Sequence, residues 1–180
     1  MYADPDPECD DEEWGTARAV AMPVAVATAF AGVYLGAYGF DRYLDYAAML
    51  GPRGEWLQFA VMGGLVVLHG AVHAVAYALL CEGSWRDVAV EASLFPGGLD
   101  PVQVFVVPTA QIRRSAYLVG VAAPGVLLGL VPAAWALATG NPLALFVGLV
   151  GILLTGSDIG ELLDTVRSPD AAGAAEFASS

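Results

Sequence analysis

The chain has 180 residues, 57% of them hydrophobic and 14% charged, with a formal net charge of −12; soluble domains carry about 25% charged residues. Length allows one domain, and the acidic balance excludes a surface built to hold nucleic acid. All seven cations are Arg and none is Lys, a bias that, with the acidic excess, suits a halophilic, salt-rich cytoplasm.

Seven of the first thirteen residues are acidic, so residues 1–16 read as a disordered acidic tail. It is no secretory signal, because its first region is acidic and the apolar run behind it is too long; it is expected to be retained. That run covers residues 17–40, with Pro23 near its start, where proline is best tolerated. Residues 41–55, with Asp41, Arg42, Asp45, Arg53 and Glu55, read as a polar loop. A second apolar run, 56–80, contains both histidines, His69 and His73.

The pattern changes after residue 80. Val88, Val90, Ala92 and Leu94 alternate with Ala89, Glu91 and Ser93, a period near two. PGGLDP follows as turn chemistry, and VQVFVV reads as a second strand. This predicts a small β-hairpin; an irregular interfacial loop is the alternative. A third apolar run, 117–138, carries Pro124 and Pro132, which membrane helices tolerate. Thr139, Gly140, Asn141 and Pro142 form a turn. The fourth run starts at Leu143 and turns polar at Thr155, Ser157, Asp158, Glu161 and Asp164. Residues 167–180 read as a flexible tail. Cys9 and Cys81 are too isolated to form a disulfide framework and read as free thiols.

Each run approaches the roughly 20 apolar residues that a membrane-spanning helix requires. The expected fold is an all-α membrane protein with about four transmembrane helices and a small β-hairpin between helices 2 and 3. One transmembrane domain, 17–166, lies between the two tails. Four spans put Arg18, Arg86, Arg113, Arg114 and Arg167 on one side and only Arg42 and Arg53 on the other. Positive charge collects in the cytoplasm, so a multi-pass protein of the cell membrane with both termini cytoplasmic is expected.

The chemistry-bearing residues lie at membrane depth. His69 and His73, in HGAVH, are spaced i, i+4 and share one helix face. Two nitrogens so placed can reach one tetrahedral metal; they can equally hydrogen-bond neighbouring helices. Polar groups inside a membrane are expensive and usually functional. His73 lies about 10 Å from its helix end at ~1.5 Å per residue, and Asp158 lies at a similar depth from the same side. Together they would supply three N/O ligands and leave a fourth position open, as in a catalytic zinc site. The alternative for Asp158 is an ordinary acid at a helix end.

HGAVH in a membrane helix, the Pro-containing run SAYLVGVAAPGVLLGLVPAAW, the turn TGNP and the closing TGSDIGELLDTVRSP resemble the zincin peptidases catalogued as domain of unknown function 3267. Those proteins look like compact relatives of site-2 intramembrane metalloproteases, and the resemblance covers roughly residues 20–168. It implies a Zn2+ cofactor, His69 and His73 as the paired histidines, and Asp158 as the late aspartate of the metal site. Gly70 occupies the place of the family's glutamate, which in HExxH enzymes takes the proton from the zinc-bound water. Glu82, Glu91 and Glu161 are possible substitutes, with Glu161 the best placed, one turn beyond Asp158. The resemblance also gives the hairpin a reading as a strand edge that presents peptide; a plain amphipathic cover is the alternative.

The functional expectation is a membrane-embedded, zincin-like metallopeptidase homologue, weakly active or inactive because of Gly70. Its partners would be the lipid bilayer and a membrane-protein or peptide substrate. A non-enzymatic membrane adaptor that binds other membrane proteins is the alternative. A small transporter or channel subunit is a third class, disfavoured because the outer halves of the helices lack polar groups.

Overall fold

A computed structural model describes residues 7–80, 85, 88–94, 102–108 and 113–167. Among these residues, seven helices, a π-helical segment and two strands follow one another: α1 (Pro7–Tyr38), α2 (Asp41–Leu50), α3 (Arg53–Leu80), β1 (Val88–Leu94), β2 (Val102–Pro108), α4 (Arg114–Pro124), the π segment (Gly125–Leu130), α5 (Val131–Thr139), α6 (Pro142–Leu154) and α7 (Gly156–Arg167). Among the described residues, three stretches are long and apolar enough to cross a membrane: Val20–Tyr38, Arg53–Leu80 and Arg114–Thr139. A fourth arises if α6 and the first part of α7, bent by 43° relative to each other, count as one broken span.

The distribution of side chains supports a lipid environment. Val33, Phe59, Val67, Leu79, Val119, Leu127 and Trp135 are all more than half exposed. The interior is rich in small or polar-tipped residues, with Ala133, Ala136 and Tyr34 fully buried beside a few larger aliphatics such as Val121, Leu145 and Ile152. Lipid tails are as apolar as Leu, so nothing drives large aliphatics inward, and helices associate through small residues that allow close approach. Ala27, Ala133 and Ile152 form one buried cluster, and Tyr34, Ala136 and Leu145 another. Gly148 and Gly151 are where α6 runs against α5 and the π segment. A β-carbon on Gly148 would lie 2.8 Å from the Ala133 Cα.

Local sequence explains most element ends. Gly140 takes the left-handed conformation (φ 66°) that closes α5, and Asn141 caps α6 by accepting from the Leu143 and Ala144 N–H groups at 2.9 and 3.1 Å; Pro142 follows at the first helical position. The Tyr34 and Tyr38 hydroxyls tie α1 to this corner by donating to the Gly140 and Leu137 carbonyls at 2.8 and 2.6 Å.

The β-hairpin forms as the alternation predicted: β1 and β2 pair antiparallel, with Val88 opposite Pro108 and Leu94 opposite Val102. The turn at 96–101, Cys81, Glu82, Arg86 and the tail 168–180 lie outside the described residues.

Three expectations need correction. The segment read as a polar loop contains the ten-residue helix α2; its bounds are Gly39 (φ 78°) and Gly51 (φ 56°) followed by Pro52, a stop signal of the usual kind. α1 starts at Pro7, inside the stretch read as a disordered tail. Residues 1–6 lie outside the described residues. The fourth run is not one straight helix. Thr155 breaks it by turning its hydroxyl back onto the Ile152 carbonyl at 2.6 Å, a backbone-competing bond that bends helices.

Candidate metal centre

Helix α3 carries His69 and His73 one turn apart, and their Nε2 atoms lie 3.2 Å from each other. The bend at Thr155 redirects the chain so that Asp158 falls in the first turn of α7, where the helix dipole favours a carboxylate. Helix α4 packs on both α3 and α7 and holds the two elements at the required spacing. Asp158 Oδ2 lies 3.1 Å from His69 Nε2, and Asp158 Oδ1 lies 3.4 Å from His73 Nε2. The carboxylate thus spans both imidazoles. His73 and Asp158 are 9% and 8% exposed, so water does little to offset this concentration of lone pairs.

The arrangement fits a tetrahedral zinc. Ligand bonds of about 2.0–2.1 Å at tetrahedral angles separate neighbouring ligand atoms by about 3.3 Å, close to the observed spacings. His73 Nδ1 lies 3.0 Å from the Gly120 carbonyl oxygen. A carbonyl can only accept, so Nδ1 carries the proton and Nε2 turns a bare lone pair into the cluster. This is the usual outer support of a metal-bound histidine. Asp158 Oδ2 makes no hydrogen bond despite its burial; it approaches His69 without the alignment such a bond needs. Among the described residues, this is the one group of three or more metal-ligating side chains within reach of a common ion.

The Gly120 carbonyl is available for a reason written in the sequence. In an α-helix it would accept from residue 124, but Pro124 has no N–H. The Gly125 N–H bonds instead to the Ala122 carbonyl. The proline that interrupts the third run therefore frees an acceptor for His73. The π segment that follows is of a kind often found at functional sites, and it lets Gly125 pass close to Thr155 at the bend: a β-carbon there would lie 2.8 Å from the Thr155 methyl.

Beyond the three candidates, the structure assembles residues that sequence reasoning missed. Tyr77 stacks on His73 with ring centroids 6.0 Å apart, and Tyr117 stacks on Tyr77 at 5.9 Å. The Tyr117 hydroxyl donates to Glu161. Glu161, considered as a substitute base, is thus exposed and engaged by Tyr117 rather than turned into the His/His/Asp cluster. Tyr77 follows His73 by four residues, so the spacing 69, 73, 77 was visible; Tyr117 and Gly120 gave no comparable local signal. Gly70, between the histidines, is buried on α3 and offers only its backbone. A largely apolar cavity of about 200 Å3 opens between α1 and the π segment and has Asp158 in its wall.

No curated protein and no solved structure gives a significant match to the chain. The family model described as "Putative zincin peptidase", domain of unknown function 3267, matches residues 62–172. That span is more than half of the chain and takes in both histidines and Asp158, so the chain belongs to this family.

Proposed function

We propose that the protein is a membrane-embedded zinc-binding member of its family, with His69, His73 and Asp158 as the three protein ligands and little or no peptidase activity. One observation carries the reading: two imidazole nitrogens and a buried carboxylate lie 3.1–3.4 Å apart, the ligand spacing of tetrahedral zinc. A zinc ion there would supply Lewis acidity, polarising a carbonyl or acidifying water. The chain's own contribution is to orient the His73 imidazole through the Gly120 carbonyl and to exclude bulk water. It lacks a base at the expected place, because Gly70 has no side chain to take a proton. The Arg distribution supports cytoplasmic termini.

The test is metal content. Protein purified in mild detergent should carry about one zinc per chain, and His69→Ala, His73→Ala and Asp158→Ala should each lose most of it. Metal-free wild-type protein would refute the site. Gly70 favours one second reading, an adaptor that keeps the family fold and binds membrane proteins or peptides without cleaving them. Zinc-loaded protein that captures membrane-segment peptides and leaves them intact would support it.

A further inference from the structure

The cavity beside Asp158 has a composition that limits what can enter it. Its wall is made by Pro23 and Val26 of α1, Val121 of α4, Gly125 of the π segment and Ile152 of α6, with Asp158 at one point. The other polar side chain in the wall, Thr155, already donates its hydroxyl to the Ile152 carbonyl. A peptide backbone placed here would leave N–H and C=O groups without partners, whereas hydrocarbon would lose nothing. Met22, Val126 and Leu130, also in the wall, are 53%, 44% and 41% exposed. The mouth therefore lies between two membrane-spanning stretches rather than at a helix end.

The proposed metal fixes the other end of the occupant. Two neutral histidines and one carboxylate leave a divalent ion with one uncompensated positive charge. In a water-poor site the fourth ligand that balances it is a monoanion. We propose that the cavity is the chain pocket of the metal centre, taking a short aliphatic chain whose monoanionic, metal-binding head lies beside Asp158. This rests on the zinc reading. An amphiphile already dissolved in the bilayer could enter sideways through the mouth. The volume sets the length: an engineered apolar cavity of about 150 Å3 holds benzene, with its six carbons, so the cavity of about 200 Å3 takes about seven or eight.

Purified protein loaded with cobalt in place of zinc, titrated with straight-chain alkyl hydroxamates and followed by the visible cobalt spectrum, tests this. Affinity should rise about fourfold per methylene, the value of burying a CH2 group, and level off near seven or eight carbons. Partition into detergent would not level off there. Ala122→Phe fills the cavity wall and Met22→Trp its exposed mouth, and either folded variant should flatten the length dependence while cobalt content stays the same. Chain-length-independent binding by the wild type would overturn the inference and leave the metal site standing, as would an undiminished length dependence in both variants. Protein that never takes up cobalt would overturn the metal reading and this inference with it.

Discussion

Gly120 is where helix packing meets the proposed metal site, and Gly120→Ala tests the link. A β-carbon at this position would run into the buried Tyr77 ring, with Tyr77 Cδ1 at 2.7 Å and Cζ at 3.2 Å. The ring is 2% exposed and stacked between His73 and Tyr117, so it cannot yield without disturbing both. Overpacking of this kind costs about 1–3 kcal/mol. Replacing Gly by Ala inside a helix returns about 1 kcal/mol, so the net loss of stability is about 0–2 kcal/mol. The effect on metal should be larger relative to its baseline. Moving Tyr77 or the Gly120 carbonyl releases His73 from its orienting bond, and loss of such outer support typically weakens metal binding 10–100-fold. The assay is zinc affinity by chelator competition, with thermal unfolding on the same samples. Gly63→Ala serves as the control: a β-carbon there meets nothing within 4 Å, so it should leave zinc affinity unchanged. Folded Gly120→Ala protein that binds zinc as tightly as wild type would show that the Gly120–His73 bond does not support the metal.

Other outcomes follow from the same geometry. Asp158→Asn keeps the shape but removes the charge, and should weaken zinc binding more than Glu161→Gln, which touches Tyr117 and not the cluster; equal losses in chelator competition would count against Asp158 as ligand. Wild-type protein should cleave membrane-segment substrates slowly or not at all, because positioned acid–base catalysis contributes about 10²–10⁴-fold; a folded, zinc-loaded Gly70→Glu variant should cleave faster in a gel assay, and an inert one would favour the adaptor. Gly148→Leu places a side chain against the Ala133 backbone, which cannot rotate away, and should abolish the monodisperse detergent-solubilised form; normal yield and unfolding temperature would contradict the close α5–α6 crossing. In a background without Cys9 and Cys81, an impermeant thiol reagent applied to intact cells should label Arg53→Cys and spare Ser84→Cys; the reverse pattern would invert the proposed orientation.

The sequence alone determined what depends on local periodicity and composition. Runs of apolar residues of bilayer length specify helices whatever surrounds them, because every backbone group must be satisfied within the span. The two-residue alternation before and after PGGLDP specified the hairpin, and the i, i+4 spacing put His69 and His73 on one face before any packing was known. Helix α2 was legible in principle from Gly39, Gly51 and Pro52, but its polar residues concealed it. Only the tertiary structure decided the rest. Asp158 reaches the histidines because Thr155 bends the fourth run and α4 spaces α7 from α3, and bend direction depends on contacts far apart in the chain. The partner of His73 is a backbone carbonyl 47 residues away, a group every residue possesses and so one that composition cannot single out. Pro124 marked a missing N–H in the sequence, but which side chain would take up the freed carbonyl was a matter of helix packing. The Tyr77–Tyr117–Glu161 chain and the cavity beside Asp158 likewise exist only between helices, where short-range contacts join residues that local pattern cannot relate.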